Sequence, residues 1–281
     1  MARLLGFACQ LCQRGMDGRE TMTDAPDGRL PLEGRTAVIT GASRGIGLAV
    51  AQRLVQAGAR VCITARKDGP LQEVASTFPA GSVLAVAGKA DDPVHRAEVF
   101  AATRDAFGPL DILISNVGIN PVFGPLADLE LDAARKLLEV NVIGTLAWVQ
   151  DAMRLGGLGT GTHVGVVVAM SSVTGQVPSP GIGWYGVSKA AIGHLTRTLA
   201  VELAPGIRVN AVAPAVVKTQ FARDLFEGNE EGVAATYPMN RLGLPADVAG
   251  LVCFLATDEA SWITGQVVNI DGGLLAAGGH A

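Results

Sequence analysis

Short apolar runs rich in β-branched residues recur along the chain from Leu32 onward, and longer stretches with helical spacing separate them. The runs are Thr36–Thr40, Arg60–Thr64, Val83–Ala87, Ile112–Ser115, Val164–Ala169, Ile207–Ala211 and Gln266–Ile270. They are almost continuously apolar, as a strand must be when both faces of its sheet are covered. The intervening patterns predict helices near 46–57, 70–77, 93–106, 131–153, 184–204 and 245–256. Gly58 and Gly108 suit helix ends, and Pro245-Ala246-Asp247 suits a helix start. Strand–helix alternation of this kind implies right-handed crossovers. The predicted fold class is α/β, with a single doubly wound parallel sheet flanked by helices.

Composition narrows the picture without changing it. The chain has 281 residues, 49% hydrophobic and 17% charged, with 36 glycines, which suits tight strand-to-helix turns. Its formal net charge is −4 and no basic block stands out, so nucleic acid is not an expected partner. No run reaches the roughly 20 apolar residues of a membrane span, and no signal-peptide core is evident, so a cytoplasmic location is the default expectation. Residues 1–31 lack sustained periodicity and read as a flexible extension; 32–281 read as one domain. Cys9 and Cys12 have C-x-x-C spacing but no second pair or nearby histidine, so neither metal nor redox chemistry is expected there. Met22 remains open as an alternative start.

The first strand runs into Thr40-Gly41-Ala42-Ser43-Arg44-Gly45-Ile46-Gly47 and then an apolar helix. Glycines at that junction let backbone N–H groups approach a pyrophosphate at the helix N-terminus. The second strand ends in Ala65, Arg66 and Lys67, where an acidic residue would hold the ribose 2′-OH of NAD. Guanidinium groups at Arg66 and Arg44 suit a 2′-phosphate instead, which favours NADP(H) over NAD(H); the alternative is a solvated strand end.

A second constellation is Ser171-Ser172 followed by Tyr185-Gly186-Val187-Ser188-Lys189. Four residues apart on a predicted helix, Tyr185 and Lys189 share a face. The ammonium is expected to lower the phenol's pKa and make Tyr185 an acid–base group. Ser172 would orient the substrate oxygen. His95, His163, His194 and His280 have no recognisable metal-ligand spacing, so no metal is expected.

From Leu32 to about Leu275 the chain resembles the short-chain dehydrogenase/reductase family. The matching pieces are TGASRGIG at 40–47, Asn116-Val117-Gly118, Asn141, Ser172, Tyr185 with Lys189, Asn210–Pro214, and the terminal Ser261–Gly265 and Asp271-Gly272-Gly273. The resemblance implies a Rossmann fold with a seven-stranded sheet. It implies Tyr185 as general acid, Ser172 on the carbonyl, Lys189 on the nicotinamide ribose, and Asn141 holding a water that links Lys189 to solvent. It also places Gly41, Ser43, Arg44, Gly45, Ile46, Gly47, Arg66, Lys67, Ala90, Asp91, Asn116, Val117, Gly118, Pro214, Ala215, Val217 and Thr219 against the cofactor. Lys89 stands where the family often has an adenine-contacting Asp, and Val117 and Ala215 also depart from the usual pattern.

The expected reaction interconverts a ketone and a secondary alcohol. Within the family the chain is similar both to NADPH-dependent carbonyl reductases and to 3-oxoacyl-[acyl carrier protein] reductases. The substrate is thus a small carbonyl compound or an acyl thioester. A carrier protein would want a basic patch, and Gln150–Gly165 offers only Arg154 and His163. A cofactor-binding regulatory role without turnover is a third reading, disfavoured because both Tyr185 and Lys189 are present. Asn120–Gly124, Val173–Pro180, Trp184 and Lys218–Arg241 are expected to line the substrate, the last as an apolar lid through Phe221, Leu225, Phe226, Tyr237 and Met239; the alternative is that half of these only pack the segment down. The resemblance further implies a homotetramer or homodimer, with Ala190, Ala191 and Gly193 permitting close helix approach.

Overall fold

A computed structural model of the chain describes residues 29–279. The Cys9/Cys12 pair, Met22, His280 and most of the expected extension lie outside the described residues. In chain order the elements are β1 (Thr36–Thr40), α1 (Gly45–Gln56), β2 (Arg60–Ala65), α2 (Asp68–Ala75), β3 (Val83–Ala87), α3 (Pro93–Phe107) and β4 (Ile112–Ser115). There follow α4 (Leu131–Leu138), α5 (Gly144–Arg154), β5 (Gly165–Met170), α6 (Gly183–Leu203), β6 (Ile207–Pro214), α7 (Glu230–Ala234), α8 (Pro245–Ala256) and β7 (Val267–Ile270).

The strands form one 7-stranded sheet in the order β3-β2-β1-β4-β5-β6-β7. Every pairing is parallel. The period-2 geometry of a strand divides each apolar run between two cores. Ile39, Ile63, Ile114 and Val168 face one layer, where they meet Val50 and Leu54 of α1 and Val248 and Val252 of α8. Val38, Cys62, Leu113 and Val167 face the other, against Phe100 of α3, Trp148 of α5 and Leu199 of α6. Both faces are dry, which is why the strands read as continuous apolar runs. Winding starts at β1, proceeds outward to β3, then restarts at β4 in the opposite direction. The crevice at the carboxyl ends of β1 and β4 is therefore the switch point where such sheets place their ligands.

Several boundaries differ from expectation. β5 starts one residue later than predicted and extends to Met170, and β6 runs on to Pro214. Both extensions carry chain further towards the carboxyl edge of the sheet. The predicted helix over 131–153 is interrupted by a π-helical turn at Glu139–Ile143. Among the described residues no helix is long and apolar enough to cross a membrane.

Candidate active site

The phosphate turn is built on close packing. A Cβ on Gly47 would lie 2.4 Å from the Gly41 carbonyl oxygen, so only glycine lets α1 approach the end of β1 this closely. Gly41 and Gly45 have φ of 67° and 60°, which glycine adopts without cost. No side chain caps α1, and its first turn holds no acid. Its N-terminal N–H groups and positive dipole end are thus left to an anion. The cradle fits a dinucleotide pyrophosphate.

Asn116 supports this turn from β4. Its Nδ2 donates to the carbonyls of Thr40 at 2.9 Å and Gly41 at 3.1 Å. Thr40 was not singled out from the sequence, yet its Oγ1 accepts from the backbone N–H groups of Asn116 at 3.0 Å and Val117 at 3.1 Å. The available signal was a threonine at the last position of a buried strand. Thr219 reaches over from the far side: its Cγ2 would touch a Cβ on Gly45 at 3.3 Å. Arg44 donates to Gln220 on the same segment. Ser43 and Ile46 are half-buried beside them.

Just after β2, Arg66 and Lys67 are exposed. Asp91 pairs with Lys136 at 2.6 Å, which holds its carboxyl below the ordinary value. The Ala90 carbonyl accepts from the Trp148 indole at 3.0 Å. Both Ala90 and Asp91 thus have structural partners of their own.

Ser172 follows β5, while Tyr185 and Lys189 lie one turn apart on α6. The Ser172 hydroxyl lies by the Tyr185 phenol and acts to lower its pKa. Ser172 Oγ donates to the Pro214 carbonyl at 3.4 Å, which ties this hydroxyl to the end of β6. Lys189 is buried; its Nζ donates to the Met170 carbonyl at 2.7 Å and lies 5.4 Å from the centre of the Tyr185 ring. A Cβ on Gly118 would come within 3.2 Å of that ammonium. The expected lowering of the Tyr185 pKa is corrected here. Burial outweighs the effect of Ser172 and holds the phenol above its ordinary 10.0. Burial also pushes Lys189 down, to about 8.

Asn141 sits inside the π-helical turn and is buried. Its Oδ1 accepts from Ile119 N at 2.8 Å, and its Nδ2 donates to Ile119 O at 3.0 Å and to Ser188 Oγ at 3.1 Å. The amide therefore clamps the loop after β4 to α6.

The segment after β6 divides its apolar residues by role. Tyr237 is buried, its hydroxyl accepts from Val216 N at 3.3 Å, and with Phe226, Leu242 and Leu274 it anchors the segment. Phe221, Leu225 and Met239 are exposed. The Phe221 ring centre lies 6.1 Å from that of Tyr185. Trp184 lines a small cavity with Asn120, Val122 and Tyr185, and its indole donates to the Ala134 carbonyl at 3.0 Å. Val217 pairs with Gly243, and Ala215 N donates to the Ile270 carbonyl at 3.1 Å. Cations near the mouth are neutralised: Lys218 by Glu230, Arg223 by Glu227, and Arg241 by Asp247 at 2.6 Å.

This geometry meets the comparisons with known proteins. A family model described as "Enoyl-(Acyl carrier protein) reductase" matches residues 41–275. Human "Dehydrogenase/reductase SDR family member 4" is 39% identical over 285 residues, covering 97% of this chain and 97% of its own. The chain belongs to the short-chain dehydrogenase/reductase family. The orangutan (Pongo abelii) protein of the same name is 39% identical over 276 residues, covering 94% of this chain and 95% of its own. A short-chain dehydrogenase/reductase from Brucella melitensis, described as a glucose/ribitol dehydrogenase, superposes with a TM-score of 0.81 at 26% identity. That match covers 88% of this chain and 98% of the other. Like its family, this oxidoreductase uses a nicotinamide dinucleotide.

Proposed function

We propose that this enzyme interconverts a ketone and a secondary alcohol with NADP(H), using Tyr185 as general acid and base. The observation that carries the reading is the pairing of two hydroxyls, Tyr185 and Ser172, beside the buried Lys189 ammonium. When bound, the cofactor supplies or accepts the hydride. In reduction, Ser172 donates a hydrogen bond to the carbonyl oxygen, and Tyr185 gives its proton to that oxygen as the carbon gains hydride. A phenol held above 10.0 is fully protonated at neutral pH, which suits the donor role. Below about pH 8 Lys189 carries the charge that stabilises the phenolate left behind. Asn141 acts as a positioning residue: it fixes the backbone of Ile119, next to Gly118, and the α6 residue Ser188.

NADP(H) is preferred over NAD(H) because Arg66 and Lys67 occupy the end of β2 without an acid to hold the ribose 2′-OH. Gly41, Ser43, Gly45, Ile46 and Gly47 would receive the pyrophosphate, and Pro214, Val217 and Thr219 the nicotinamide end. A carrier-bound acyl substrate is the second reading, since the matching family model bears such a name. The paired cations at the mouth leave little field for an acidic carrier protein, so a free, uncharged carbonyl compound fits better.

A panel of ketones, diketones and 3-oxoacyl thioesters, assayed with NADPH and NADH in parallel, tests the proposal. The expected result is turnover of free ketones with NADPH preferred. Tight NADPH binding with no turnover of any carbonyl would overturn it in favour of a binding role.

A further inference from the structure

The turn after β3 presents a cation that the site described above does not use. Gly88 N donates to the Ala65 carbonyl at 2.9 Å, continuing the β2–β3 ladder one step past the Ala65–Ala87 pair. Beneath it lies the buried His95, whose Nδ1 would be 2.2 Å from a Cβ on Gly88. The other ring nitrogen of His95 is held by Thr64 Oγ1 at 2.7 Å. Further along, Trp148 holds the Ala90 carbonyl and Lys136 holds Asp91. Asp92 N donates to the Lys89 carbonyl at 3.1 Å, and the Asp92 carboxylate caps α3 by accepting from Val94 N at 2.9 Å. The turn is pinned at every residue, and the Lys89 side chain alone is left over. Its charge is felt by Asp91, whose carboxylate is already held by Lys136. It is exposed and makes no hydrogen bond or salt bridge among the described residues.

Arg66 and Lys67 share that property, and they end the neighbouring strand. Neighbouring strands lie about 4.8 Å apart, so long side chains at these two ends are within reach of one bound anion. Three exposed cations without a hydrogen bond or salt bridge of their own among the described residues thus stand at the ends of these two strands, whereas Lys218, Arg223 and Arg241 are paired. Such a cluster is suited to a dianion bound by charge-assisted hydrogen bonds.

We propose that Lys89 is a third ligand of the cofactor's 2′-phosphate and closes a clamp with Arg66 and Lys67. The residue at the family's adenine-contact position then becomes a charge determinant of NADP(H) selection. The inference rests on the NADP(H) reading above, and the test separates the two. Dissociation constants for NADPH and NADH are measured by quenching of protein fluorescence for the wild type, Lys89→Ala and Lys89→Arg.

The wild type should bind NADPH more tightly. Lys89→Ala should reduce that preference about tenfold, the scale of one lost charge-assisted bond, while Lys89→Arg retains it. Equal weakening of both dinucleotides, or an unchanged ratio, would overturn the role of Lys89 and leave the NADP(H) reading standing. A wild type that binds NADH as tightly as NADPH would remove that reading and this inference with it.

Discussion

Lys189 shows how one side chain's surroundings set the pH range of the chemistry. Its ammonium is buried, donates to the Met170 carbonyl and lies over the Tyr185 ring. Burial disfavours the charged form, so its pKa falls to about 8. The charge is therefore present below that pH and lost above it. The rate of carbonyl reduction, followed as kcat/KM, should be flat below about pH 8 and decline as pH rises through it. A rate still climbing above pH 9 would show that the Lys189 charge is not needed. The Tyr185–Lys189 spacing was legible in the sequence because four residues make one helical turn. The direction of the tyrosine shift was not, because spacing carries no information about how deeply a pair is buried.

The β1–α1 turn is the element where sequence and structure agree most closely. Its three glycines each do a steric job, and Gly47 does the tightest one. Gly47→Ala should cost about 1–3 kcal/mol through overpacking and weaken cofactor binding, because α1 is pushed off the end of β1. A thermal melt with and without NADPH checks both effects. An unchanged melting point and an unchanged NADPH-induced shift would mean that the turn tolerates a Cβ. The π-helical turn around Asn141 was not legible. Its helical periodicity continues on both sides, and what bends it is a tertiary contact, the two hydrogen bonds between the Asn141 amide and Ile119. The segment after β6 was half legible: its apolar residues were visible, but only packing shows that Tyr237 and Phe226 anchor it while the Phe221 ring approaches Tyr185.

On the scale of the whole molecule, the parallel sheet could be read from continuous apolar strands, since residues buried on both faces leave no alternation. The outer surface was harder to read. Gly193, expected to ease approach of a partner helix, is buried, and its nearest neighbour across the fold is Val267 of β7. Val187, Ala190 and Val201 form the exposed stripe on α6, with Leu131 and Ile143 exposed on the helical stretch before it. This surface is the proposed contact of a homotetramer or homodimer. Light scattering should return a multimeric mass at micromolar concentration, and Val187→Glu should shift it downward. A monomeric wild type would remove the proposal.

The central claim is that the Tyr185 hydroxyl delivers the proton. The most direct measurement is NADPH-dependent ketone reduction by Tyr185→Phe, paired with NADPH binding to the same variant. Loss of a general acid costs about 10²–10⁴-fold in rate, so turnover should fall by at least that range while NADPH still binds. Reduction within a few fold of the wild type would contradict the account and place the proton donor elsewhere.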